Sequence, residues 1–273
     1  MCCVAKGTAG TDPVEEGGDI ITTAAMYAVA VIVAIWFIRR RKHRMSISEM
    51  PQLPMSPWVA TLLFFGSFVL GSVGAVVGMS QGEHGTMEQL GWISLCALVA
   101  QLPVVFVYAF YPKPSTPSRR AMVVAVGFVV FTPLAMVTAS VAHTMFSALG
   151  WEDPNGLGHE TLLLLKTSSF STASVLVIFA ATIGAGIVEE VVFRGVLFPS
   201  IPLIFRGVSV WGAAILTSVI FALMHMGSVP PSALAGLFVL SVGLCWARVN
   251  SGGVLAPIVI HILFNALNIA LVL

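Results

Sequence analysis

The residues with the most chemistry lie in a single hexapeptide, Glu189-Glu190-Val191-Val192-Phe193-Arg194, set within a long apolar run. From Ser168 to the C-terminus there are five charged residues, Glu189, Glu190, Arg194, Arg206 and Arg248, and three of them are in this hexapeptide. Ionisable side chains at membrane depth are costly and persist where they pair or function. In a helical register Glu190 and Arg194 stand at i and i+4, acid before base, the favourable order for an ion pair. Glu189 then points about 100° away around the helix and has no local cation. It needs a partner on another helix or a bound water, and burial set against nearby positive charge is how a carboxylate is tuned as a general base.

Two further segments carry polar groups at helical spacing. His225 closes the apolar run Phe221-Ala-Leu-Met-His225. If the chain turns near Arg206 to Ser209, Glu190 lies as many residues before Arg206 as His225 lies after Ser209. An antiparallel hairpin then brings Glu189 or Glu190 to face His225. In the last apolar segment His261, Asn265 and Asn268 follow one another at intervals of four and three, which puts them on one face. Taken alone, that face reads as an interhelical hydrogen-bond seam. His43, His84, His143, His159 and Lys166 fall in interfacial or loop positions. Cys2, Cys3, Cys96 and Cys245 have no metal-type spacing.

These residues require an apolar frame, and the composition supplies one. Of the 273 residues 58% are hydrophobic and 9% are charged, whereas a soluble domain carries about 25% charged residues. The chain therefore reads as an all-α, polytopic integral membrane protein. Thirteen basic and twelve acidic residues leave a net charge of +1, so there is no basic field for nucleic acid. Cutting at charged and Pro/Gly-rich breaks gives about eight candidate spans: Ile20 to Ile38, Trp58 to Val77, Leu90 to Phe110, Ala121 to Ala139, Ser168 to Ile187 with a continuation to Phe205, Val208 to Met226, Ala233 to Ala247, and Val254 to Leu271. Four fall in an N-terminal region, 1–160, and the remainder in a second region, 161–273. Arg39 to Arg44 follow the first span, and Lys113, Arg119 and Arg120 follow the third, while Glu83, Glu88, Glu152, Asp153 and Glu160 occupy the intervening loops. That asymmetry predicts a non-cytoplasmic N-terminus. Arg206 and Arg248 are expected in loops.

Taken in order, E-E-x-x-x-R at Glu189, Glu190 and Arg194, F-x-x-x-H at Phe221 and His225, and H-x-x-x-N at His261 and Asn265 resemble the CAAX protease and bacteriocin-processing family, which includes the type II CAAX prenyl endopeptidases. The simple later motifs resemble the prokaryotic members, which implies a prokaryotic plasma membrane. The resemblance covers about Glu189 to Asn265. It implies an intramembrane endopeptidase acting on prenylated CAAX-type or other membrane-associated peptide or protein substrates, with 161–273 as the catalytic core. By this resemblance Glu189 is the base, His225 its partner on a water, His261 and Asn265 the oxyanion site, and Glu190 with Arg194 a brace for the helix.

No cofactor is expected under that reading. The rival reading is a zinc metalloprotease in which His225, His261 and Glu189 hold the ion. The chain lacks H-E-x-x-H, and Asn is an unusual zinc ligand. Two non-hydrolytic alternatives are a membrane scaffold or immunity protein, and a transporter using Glu and His as a proton relay, although no inverted repeat is visible.

Overall fold

The computed structural model describes residues 53, 55–111, 120–151, 160–167 and 169–273, together with Ile32. The expected span Ile20 to Ile38 and the basic block Arg39 to Arg44 lie outside these residues, Ile32 excepted. Among the described residues the regular structure is helical, with one isolated bridge between Met226 and Val229.

Helix α1, Pro57–Met79, starts where Ser56 accepts a hydrogen bond from the Val59 N–H and Pro57 takes the first helical position. Helix α2, Met87–Phe110, is capped in the same way by Thr86. Then come α3, Arg120–Ala148, and a short α4, Glu160–Thr167. Helix α5 runs continuously over Thr172–Ile204 from a reciprocal cap between Ser171 and Ser174. After Gly207, at φ +88°, Ser209 caps α6, Val210–Leu223. Helices α7, Pro231–Ser251, and α8, Leu255–Val272, complete the chain.

Helices α1, α2, α3, α5 and α7 are long and apolar enough to cross a membrane, while α6 and α8 are shorter apolar helices. The expected α6 span is cut short for a local reason. The His225 ring bonds the Phe221 carbonyl, Gly227 adopts φ +87°, and Pro230 and Pro231 follow, so the helix cannot continue. Arg248 is a correction. It lies in the last turns of α7 rather than in a loop, and it is buried, with its Nε–H donating to the Arg194 carbonyl at 3.0 Å.

Small residues draw the helices together. A Cβ at Gly74 or Gly78 would collide with the α2 backbone at Cys96 or Ile93, so this G-x-x-x-G stretch sets the α1–α2 approach. Gly236 and Gly243 do the same for α7 against α3, where Ala135 and Phe131 occupy the space a side chain would need. An edge-to-face aromatic chain then ties α1 to the C-terminal helices: Phe64 to Phe193 at 5.8 Å and Phe193 to Phe221 at 5.0 Å between ring centres.

Candidate active site

Helix α5 carries two π segments, Ala180–Gly184 and Val191–Leu197, on either side of the α-helical Ala185–Glu190. Such wide turns are rare and occur often at functional sites. Each receives a donor from another helix. Asn265 Nδ2 on α8 donates to the Ala181 carbonyl at 2.8 Å, and Arg248 Nε on α7 donates to that of Arg194 at 3.0 Å. The two glutamates thus sit on a stretch of helix held at both ends from neighbouring elements.

Glu190 is fully buried, and its Oε1 accepts two hydrogen bonds, from Arg194 Nη1 at 2.8 Å and from His261 Nδ1 at 2.8 Å. Arg194, also fully buried, passes the connection to α7. Its Nη2 donates to Ser241 Oγ at 2.6 Å and to the Ser241 carbonyl at 3.2 Å. The guanidinium lies 4.7 Å from the centre of the Phe221 ring, a cation–π contact. The i,i+4 pair expected from the sequence is present, and His261 joins it.

Glu189 turns the other way. Its Oε2 faces His225 Nε2 across 3.9 Å, and both side chains are about one-quarter exposed. His225 Nδ1 is engaged by the Phe221 carbonyl at 2.8 Å, which fixes the tautomer with the proton on Nδ1. A neutral imidazole in this orientation presents a lone pair at Nε2 to the carboxylate, acceptor against acceptor. Glu189 Oε2 has no hydrogen-bond partner among the described residues.

Glu189, His225, His261 and Asn265 line one cavity of about 650 Å³. Its walls come from α5, α7 and α8 and also from α1, α2 and α3, through residues such as Phe68, Leu98 and Ala135. Glu190 and Arg194 stand behind the wall rather than in the cavity. The zinc reading needs His225, His261 and Glu189 on one ion. Among the described residues no three His, Cys, Asp or Glu side chains come together as a metal site.

Ser241 and Arg248 are participants that the sequence reading passed over. They lie seven positions apart on α7, hence on one helix face, and the sequence offered that register for both and the scarcity of charge for Arg248.

Residues 171–267 match the family model described as Type II CAAX prenyl endopeptidase Rce1-like. This is the protease family that the three motifs resemble, and the matched segment, from the cap of α5 into α8, contains every site residue above. With its long apolar helices the chain is an integral membrane protein, and its segment 171–267 is similar to the type II CAAX prenyl endopeptidases. Among curated proteins and solved structures nothing matches the chain.

Proposed function

We propose that this protein is an intramembrane endopeptidase that hydrolyses a peptide bond with a water activated by Glu189 and His225, in a catalytic core spanning 161–273. The observation that carries this reading is the 3.9 Å separation of two acceptors, Glu189 Oε2 and His225 Nε2, at the cavity wall. A water about 2.8 Å from each would donate one proton to the carboxylate and one to the imidazole. Its oxygen lone pairs would then be free to attack a carbonyl carbon. Glu189 takes the proton as the oxygen–carbon bond forms while His225 holds the water in line, and the protonated Glu189 carboxyl then gives the proton to the amide nitrogen as the carbon–nitrogen bond breaks and the amine leaves.

The tetrahedral oxyanion needs donors already in place. His261 offers its second ring nitrogen, because Nδ1 is turned to Glu190. With Nδ1–H donating, an Nε2 donor requires the ring to carry both protons, and the Glu190 carboxylate is its counter-ion. Asn265 uses one N–H on the Ala181 carbonyl and keeps the other for the cavity. The N-terminal helices complete the chamber. Their Leu98, Phe68 and Ala135 make it largely apolar, which suits a membrane-associated substrate such as a prenylated CAAX-type peptide.

The test is purified protein in detergent, incubated with prenylated and unprenylated peptides, with and without chelator, beside Glu189→Ala. Cleavage that disappears in the variant and survives the chelator supports this function. No cleavage of any membrane-associated peptide would leave a non-hydrolytic scaffold as the better account.

A further inference from the structure

Asn268 also lines the cavity, one turn beyond Asn265 on α8, and the proposed hydrolytic chemistry does not use it. The two amides are committed differently. Asn265 reaches across to α5 and bonds the Ala181 carbonyl. Asn268 donates one N–H to the Phe264 carbonyl of its own helix at 2.8 Å and, among the described residues, joins no other element through a side-chain hydrogen bond. It is therefore not an interhelical bridge. Its second N–H and its Oδ1 are left to whatever fills the cavity. The unused hydrogen-bonding capacity of an amide in a largely apolar chamber costs free energy until something polar meets it.

A side-chain amide with a donor and an acceptor both free is matched by one chemistry above others, the N–H and C=O of a peptide backbone. Position fits that partner. Asn268 is seven residues from His261, hence about 10 Å along the helix axis. An extended peptide advances about 3.3 Å per residue, so the same distance covers roughly three residues. Resting on the endopeptidase reading, we propose that Asn268 is a substrate-positioning residue that hydrogen-bonds the peptide backbone about three residues from the scissile carbonyl. The substrate then lies extended along the polar face of α8.

The test measures binding, so it does not depend on turnover. Fluorescent S-farnesyl-cysteine peptides, lengthened one residue at a time on either side of the cysteine up to five, are titrated in detergent into full-length Glu189→Gln and Glu189→Gln/Asn268→Leu proteins. Cleavage of the longest peptide by wild type is followed in parallel and reports on the endopeptidase reading alone. In the Glu189→Gln protein, affinity should step up on one side as the chain reaches about the third residue. Asn268→Leu should erase that step, by about 3- to 10-fold, the span of a single hydrogen bond. Asn268→Gln, which keeps the amide, should restore part of it. An Asn268→Leu loss equal at all peptide lengths, or no step in either protein, would overturn the proposal. So would a variant whose thermal unfolding midpoint falls and whose loss follows that fall.

Discussion

His261 Nδ1 lies 2.8 Å from Glu190 Oε1, joining residues 71 apart in the chain, on the oxygen that also receives Arg194 at 2.8 Å. A carboxylate only accepts, so this contact fixes a proton on Nδ1 of His261 and points the other ring nitrogen away from Glu190. Glu190 is thus the hinge between the buried Ser241–Arg194 network on one side and the cavity on the other. Under the proposed mechanism it would act on the substrate through His261.

The first prediction follows from that position. Glu190→Gln keeps the shape and an acceptor oxygen but removes the negative charge beside His261. We expect kcat to fall by about 10- to 100-fold with KM little changed, the pattern of an interaction felt mainly in the transition state. Steady-state proteolysis of a single prenylated peptide checks it. A variant with normal kcat would show that the His261–Glu190 contact serves only to pack the helices.

Glu189 and His225 are partly exposed and carry little of the core, so their replacement should separate activity from folding. Glu189→Ala and His225→Ala should each lower turnover by about 10²- to 10⁴-fold, the usual contribution of general acid–base catalysis. Their thermal unfolding in detergent should stay near that of wild type. Retained turnover in Glu189→Ala together with loss in Glu190→Ala would exchange the base and the brace.

Arg194→Ala should do the reverse. It removes the cation from a fully buried carboxylate, breaks two bonds to Ser241 and empties the space over Phe221. Breaking one partner of a buried pair costs about 3–5 kcal/mol. The expected result is low expression or a clearly lowered unfolding midpoint, read by thermal denaturation of the purified protein. Restoring charge with Arg194→Lys should recover only part, because an ammonium cannot reach Glu190 and Ser241 with the fork that Arg194 uses.

Much of this site was visible in the sequence because charge is so scarce there. Glu189, Glu190 and Arg194 stand out in an apolar run, and helix periodicity alone assigns Arg194 to Glu190. Counting outward from the turn near Arg206 to Ser209 brings Glu189 or Glu190 to face His225, since antiparallel helices hold equal residues at equal depth, and in the structure it is Glu189 that does. The π segments were hidden, because no composition rule marks a wide turn. With them were hidden the bonds from Asn265 to Ala181 and from Arg248 to Arg194; Arg248 falls in a loop only when spans are cut at charged residues, whereas its buried bond to Arg194 lets α7 continue to Ser251. The meeting of His261 with Glu190 depends on how α8 docks on α5. Periodicity places His261, Asn265 and Asn268 on one face but does not say which element that face meets.

The last prediction separates the carboxylate mechanism from a zinc one through His261 and Asn265. As oxyanion donors each should lower kcat by about 10²-fold or more when truncated to Ala, with little change in KM and no response to added zinc. The structure adds a second expectation for Asn265, whose side chain also bonds Ala181 across two helices. Loss of that bond should cost about 0.6 kcal/mol, the average for interhelical hydrogen bonds in membranes, so Asn265→Ala should show a small fall in unfolding midpoint beside the large fall in kcat. His261→Ala leaves Glu190 with Arg194 as its remaining partner and should retain more stability than Arg194→Ala. A zinc site would behave differently: His261→Ala would lose stoichiometric metal, and a strong chelator would remove wild-type activity that zinc restores. Metal analysis of the active protein decides between them. One tightly bound zinc per chain, lost together with activity, would replace the glutamate mechanism with the metal one.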